Sequence, residues 1–292
     1  MVRSSIVEAE AKHEMNTFSK IVLITGCSTG IGRNLAKRLS QVGYGVVATA
    51  RRTETLADLP VALKLSLDVT QPDSVNSGVR QILEQFGRID VLVNNAGYAQ
   101  SGAVEEIPIE KVQQMFEVNV FGVLRMIRAV APHMREQRAG RIINMSSLAG
   151  KLSTPANGTY SASKFALEAL SDALRLELAP FGVQVVVVEP GAIKSQFDDT
   201  RQAHAEAILS NSASPYRLLY KLSDEFSASM RHQEAEPDVV SEIIQQAIES
   251  SKPKARYHAN IPFSGELVLR LGDSVWDLAL RRMFKIDPSN MN

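Results

Sequence analysis

The sequence holds one cysteine, Cys27, in 292 residues. A lone thiol rules out an internal disulfide and leaves a cysteine-based zinc site without its other ligands. No metal centre is expected, and a reducing, cytoplasmic setting is. An excess of charge of either sign is also missing: lysine plus arginine and aspartate plus glutamate number 32 each. That removes the basic field which holds nucleic acid, and it leaves no acidic tail. Long hydrophobic runs are lacking too. Even a run such as Val185 to Val188, which none exceeds in length, falls far short of the ~20 residues that span a bilayer and reads as a buried strand. Residues 1–19 carry Arg3, Glu8, Glu10, Lys12, His13 and Glu14 and no apolar core of the secretion-signal kind, so they read as an N-terminal extension.

What is present is an alternation. Lys20 to Thr25 is a β-branched apolar run, followed at once by Gly26-Cys27-Ser28-Thr29-Gly30-Ile31-Gly32 and an amphipathic pattern from Arg33 to Val42. Strand, glycine turn and helix in that order are the setting in which a glycine motif binds a dinucleotide, with main-chain N–H groups and the helix N-terminus facing the pyrophosphate. A second strand, Gly45 to Ala50, ends at Arg51-Arg52. In such folds this strand end meets the adenosine ribose, where an acid binds the 2′-hydroxyl and an arginine a 2′-phosphate. With no acid there, NADP is favoured over NAD. Arg33 is a weaker candidate for the same phosphate.

Ala62 to Leu67 is the next strand, ending at Asp68-Val69; Pro72 to Phe86 is a helix with proline near its start; Asp90 to Val93 is a strand running into Asn94-Asn95-Ala96-Gly97. From Ile109 to about Arg138 a single helix is predicted, with Asn119 set among Phe116, Val118, Val120 and Phe121. An amide in that company needs hydrogen bonds, as a structural tie or as a site residue. Arg141 to Met145 is a strand closed by Ser146-Ser147, residues 157–178 form a helix, and Val183 to Val188 is a sixth strand turning out at Glu189-Pro190-Gly191. The pattern predicts an α/β fold, a doubly wound parallel sheet in a single Rossmann-like domain over residues 20–292. Residues 194–233, rich in serine, alanine and scattered aromatics, are expected to cap a pocket. A helix over 237–249, a strand near 255–259 and a last helix over 264–284 complete the chain.

The helix over 157–178 carries Tyr160 and Lys164, four residues apart and so on one face. A lysine beside a tyrosine favours the phenolate and makes the phenol a usable acid or base. Taken alone the pair also fits a solvated surface. Its company decides the matter: Thr25-Gly26-x-x-x-Gly30-Ile31-Gly32, then Asn94-Asn95-Ala96-Gly97, then Ser147 thirteen residues before Tyr160, then Tyr160-x-x-x-Lys164. This ordered set resembles the classical short-chain dehydrogenase/reductase family, closely over residues 20 to about 192 and in outline beyond.

The resemblance implies an enzyme moving a hydride between NADP(H) and a carbonyl or alcohol. Tyr160 would be the general acid or base and Lys164 its electrostatic partner and a holder of the nicotinamide ribose. Ser147 would bind the substrate oxygen, and Asn119 would anchor a water in the proton relay. Gly26, Ser28, Thr29, Gly30, Ile31 and Gly32 would face the pyrophosphate, Asp68 and Val69 the adenine, and Asn94, Asn95, Ala96 and Gly97 the adenosine side. Pro190, Gly191, Ile193 and Ser195 would lie along the nicotinamide, and Arg51 and Arg52 at the 2′-phosphate. Two departures from the family pattern stand out: Thr29 where many NADP users add a basic residue, and Ser195 where threonine is usual. The expected partner is a small lipophilic carbonyl or alcohol, in a homodimer or homotetramer joined through the two long helices. A non-enzymatic NADP(H) sensor is the alternative; a complete Ser147, Tyr160 and Lys164 set argues against it.

Overall fold

The computed structural model describes residues 18–261, 273–284 and 286. The N-terminal extension up to residue 17 and the first part of the expected last helix lie outside them. Seven strands form one sheet: β1 (Ile21–Ile24), β2 (Gly45–Ala50), β3 (Leu63–Ser66), β4 (Val91–Asn94), β5 (Gly140–Met145), β6 (Val183–Pro190) and β7 (Arg256–Ala259). Their order is β3-β2-β1-β4-β5-β6-β7, and each neighbouring pair is parallel.

Alternation along the strands explains why both faces are covered. In β1, Val22 and Ile24 point into one core with Leu35 and Leu39, while Ile21 and Leu23 point into the other with Ile82 and Met126. The same split divides β6: Val186 and Val188 go one way, Val183 and Val185 the other. A strand apolar on both faces needs a helical layer on each side. One layer is α1 (Gly30–Gln41) with α8 (Pro237–Glu249); the other is α2 (Pro72–Phe86), α4 (Val123–Glu136) and α5 (Gly158–Leu178). Chain order reverses direction between β1 and β4, and the crevice at the carboxyl ends of these strands is where such sheets take ligands.

The single helix expected over 109–138 is divided. A first piece, α3 (Ile109–Phe116), passes through one wide π-type turn at Glu117–Gly122 before α4 begins. The wide turn carries Asn119 inward, for a reason given below. The capping segment is helical, as α6 (Phe197–Leu209) and α7 (Arg217–Met230), and the chain's last described helix is α9 (Asp273–Met283). Among the described residues no helix is long and apolar enough to cross a membrane.

Candidate active site

The glycine turn after β1 is braced from β4. Thr25 Oγ1 accepts the main-chain N–H groups of Asn95 and Ala96, each at 3.0 Å. Asn95 Nδ2 donates to the carbonyls of Thr25 and Gly26 at 2.9 and 3.0 Å. Gly26 has φ +73°, and a Cβ there would stand 2.8 Å from Ala96 Cα. A Cβ at Gly32 would collide with the Asn95 amide. Thr29, at the start of α1, makes no side-chain hydrogen bond to the helix, so the first amides of α1 are left for another acceptor. Uncapped amides at a helix N-terminus, behind backbone packed too tightly for side chains, fit a pyrophosphate.

Arg51 and Arg52 are exposed at the end of β2. Arg51 sits close enough to Tyr98 and His204 for its charge to act on both. Burial first, then the Lys111 and Arg51 charges, holds the His204 imidazole below its ordinary range. Arg33 is engaged elsewhere: it donates to the Thr55 carbonyl at 2.8 Å and pairs with Asp58. Asp68 Oδ1 accepts Thr70 N–H and Oγ1–H at 2.9 and 2.8 Å, and Val69 packs against Gly122.

Around Tyr160 the side chains are buried. Its ring packs with Ala99, Met115, Tyr98, Phe116 and Ala149, and meets Phe197 edge-on at 5.8 Å. Lys164 Nζ lies 5.7 Å from the Tyr160 ring centre and donates to the Met145 carbonyl at 2.7 Å. Lys164 is only 7% exposed, and burial pushes its ammonium down to about 8, with the Glu168 charge pulling the other way. Asn119 Oδ1 accepts from Tyr98 N at 3.1 Å, and Nδ2 donates to Tyr98 O at 2.8 Å and Ser163 Oγ at 3.1 Å. Ser163 Oγ donates in turn to the Tyr160 carbonyl at 2.7 Å. A Cβ on Gly97 would lie 3.1 Å from Asn119 Oδ1 and 3.9 Å from Lys164 Nζ, so three of the motifs converge on one point. Ser147 begins a short 3₁₀ turn, Leu148–Gly150; its Oγ accepts Ala149 N–H at 3.1 Å and faces the Pro190 carbonyl at 3.5 Å.

Several expected site residues have other work. Asn94, expected at the adenosine ribose, lies within β4 with its side chain buried, donating to Asn144 Oδ1 at 2.9 Å; Asn144 donates on to Ser171 Oγ at 2.9 Å. Only its main chain is available to a nucleotide, because the amide ties two central strands to α5. Ile31 and Ile193 turn toward the core. Ser195 Oγ accepts Phe197 N–H at 3.3 Å, and Ser195 Cβ lies 3.4 Å from where a Gly30 Cβ would be. Gly191 donates to the Ala259 carbonyl at 2.8 Å, on the outgoing turn of β6. Thr25 heads the glycine motif without a role of its own from sequence, and Ser163 and Tyr98 are not singled out there. Ser163 sits inside the Tyr160–Lys164 segment on the turn of helix facing Asn119, a spacing that would have flagged it; Tyr98 had no such signal.

The comparisons agree with this fold. The family model described as short chain dehydrogenase matches residues 20–206. The chain is 44% identical over 183 residues to 3-ketodihydrosphingosine reductase of Bacteroides thetaiotaomicron, covering 62% of this chain and 67% of that protein. It is 34% identical over 279 residues to human retinol dehydrogenase 8, covering 91% of this chain and 90% of that one. A short chain dehydrogenase/reductase from Burkholderia phymatum, solved with NAD, aligns at a TM-score of 0.75 and 27% identity over 90% of this chain and 95% of its own. A metagenomic short-chain oxidoreductase solved with NADP aligns at 0.66 and 25% identity over 83% and 97%. With its Rossmann-like parallel sheet, its braced glycine turn and its buried Tyr160 and Lys164, the chain belongs to the short-chain dehydrogenase/reductase family of oxidoreductases.

Proposed function

We propose that the protein is an NADP(H)-dependent reductase or dehydrogenase for a lipophilic carbonyl or alcohol, with Tyr160, Lys164, Ser147 and Asn119 as its working residues. The observation that carries this reading is the buried Lys164 ammonium beside the Tyr160 ring, with its acid strength raised by burial. A bound nicotinamide supplies or accepts the hydride. The chain does the rest. Tyr160 gives its phenolic proton to the carbonyl oxygen, or takes it back in the reverse direction. The Lys164 charge favours the phenolate left behind. Ser147, its oxygen accepting Ala149 N–H and its hydroxyl donating to the Pro190 carbonyl only at 3.5 Å, turns that proton to the substrate oxygen as charge grows there. Both amide hydrogens of Asn119 are used inside the protein and Oδ1 accepts the Tyr98 N–H, so its side chain holds the Tyr98 main chain against α5 and its main chain is what it offers to water.

The cofactor preference rests on Arg51 and Arg52, exposed where Ala50 leaves no acid to hold a 2′-hydroxyl. The substrate class rests on the apolar ring around Tyr160 and on two relatives named for lipids, 3-ketodihydrosphingosine and retinol. Residues 20–292 work as a single domain, with α6 and α7 over the pocket. A cytoplasmic setting fits the buried thiol of Cys27. The test is Tyr160→Phe assayed by NADPH oxidation against lipophilic ketones and aldehydes. Turnover should fall by about 10²–10⁴-fold, the worth of a general acid, while NADPH binding measured by its fluorescence persists. Full turnover by Tyr160→Phe would overturn the assignment.

A further inference from the structure

One turn along α5 from the Tyr160–Lys164 pair begins a second set of ionisable groups. Glu168, one helical turn beyond Lys164, is buried, and so is Glu189, the residue before the Pro190-Gly191 turn. Lys151 Nζ reaches Glu168 Oε2 at 2.8 Å and Arg256 Nε reaches it at 3.0 Å. The same cations stand farther from Glu189 Oε1, at 3.6 and 3.3 Å. Arg256 Nη2 is held by Asp172 at 2.6 and 2.7 Å, and Asp172 also carries Arg175 at 2.5 Å. The cations are therefore committed to Glu168 and Asp172. Glu168 Oε1 is buried with no hydrogen-bond partner, and Glu189 has only those longer ion-pair contacts at Oε1 and His258 Nδ1 at Oε2.

Two buried carboxylates that compete for the same two cations, with one oxygen left without a donor, carry a penalty if both acids are ionised. One proton removes most of it. We propose that Glu168 and Glu189 share a single proton, and that this pair is a positioning element which tunes Lys164 and steadies the Pro190-Gly191 turn. His258 is its route to solvent: Nδ1 lies 2.9 Å from Glu189 Oε2, and the side chain is 40% exposed. In the exchange a Glu189 O–H bond breaks as an N–H bond forms on His258, and the imidazolium then releases a proton to water. Burial, and then the Glu168 charge, pushes the Glu189 carboxyl up to about 7, well above the ordinary glutamate range. Below that point the pair holds one charge. The link to Lys164 runs through Glu168, whose charge raises the proton affinity of Lys164. A group raised in this way stabilises the fold below its unfolded range and loses that contribution as pH climbs through the folded value.

The role in turnover rests on Lys164 acting on Tyr160 as proposed above; the shared proton does not. The first measurement therefore uses no substrate: the whole chain, labelled with ¹³C at the glutamate carboxyl carbons, is titrated by NMR. One carboxyl resonance should titrate near neutral pH and vanish in Glu189→Gln, and in Glu168→Gln it should move toward lower pH. A wild-type spectrum with all glutamates ionised at pH 6 would overturn the proposal, and that result needs no variant to fold. The second measurement is the pH profile of kcat/KM. Glu189→Gln keeps the side-chain shape and a donor without titrating, so the neutral limb should disappear while the limb set by Tyr160 and Lys164 remains. An unchanged profile in folded Glu189→Gln would refute the positioning role. Should Tyr160→Phe retain activity while the neutral carboxyl is still seen, the functional reading fails and the shared proton stands.

Discussion

Lys164 meets two opposed demands. Its charge is wanted beside Tyr160, yet its surroundings lower its affinity for a proton from the ordinary 10.5 to about 8. Holding the ammonium there costs the fold about 3 kcal/mol, a cost that fades as pH rises through that interval. The Met145 carbonyl, at 2.7 Å, offsets part of it. Arg51 faces the reverse situation, exposed and with its charge felt by Tyr98 and His204. Arg51→Asp should raise the dissociation constant for NADPH by about 10–100-fold, the worth of a charged hydrogen bond, and leave NADH within a few-fold. Titration with both nucleotides checks this, and equal losses would remove the 2′-phosphate role. Residue types and their order bring Tyr160, Lys164 and Ser147 forward as candidates before any fold is known. That Asn94 serves the sheet and Arg33 serves Asp58 was not legible, because each depends on a neighbour 50 or 25 residues away in sequence.

At the scale of an element, the wide turn at Glu117–Gly122 stands out. The hydrophobic pattern is continuous from Ile109 onward, so sequence predicts one helix. What periodicity does not register is an extra residue in a single turn, a feature that recurs at functional sites. Here the extra residue turns Asn119 into the gap between the Tyr98 main chain and Ser163, where three hydrogen bonds receive it. Asn119→Ala leaves the Tyr98 N–H and carbonyl without those partners. It should lower stability by about 1–3 kcal/mol, read from the urea midpoint, and reduce turnover with it. Unchanged stability would show that the loop does not depend on this tie. The same limit applies to β4 and β5: their existence was plain from apolar runs, whereas the Asn94–Asn144–Ser171 chain between them and α5 emerged only once the strands were neighbours.

For the whole molecule, apolar side chains left outside the core bear on assembly. Leu167 is buried and Leu174 packs against the core, so those leucines are structural. Phe165 and Leu176, eleven residues apart and so on one face of α5, are 45% and 75% exposed, and Phe121 on the wide turn is 45% exposed. We expect a homodimer or larger assembly that covers them, and Phe165→Glu combined with Leu176→Glu should give a monomer by light scattering; a monomeric wild-type chain would refute this. Taken alone, the sequence determined the parallel α/β architecture, the glycine turn and the order of Ser147, Tyr160 and Lys164, because hydrophobic period and local turn chemistry are short-range properties. Only the tertiary structure decided which polar side chains face the crevice and which brace the sheet. It also brought Glu168 from α5, Glu189 from β6 and Arg256 and His258 from β7 into one cluster. Those contacts join strands and helices far apart in the chain, and no local pattern encodes them.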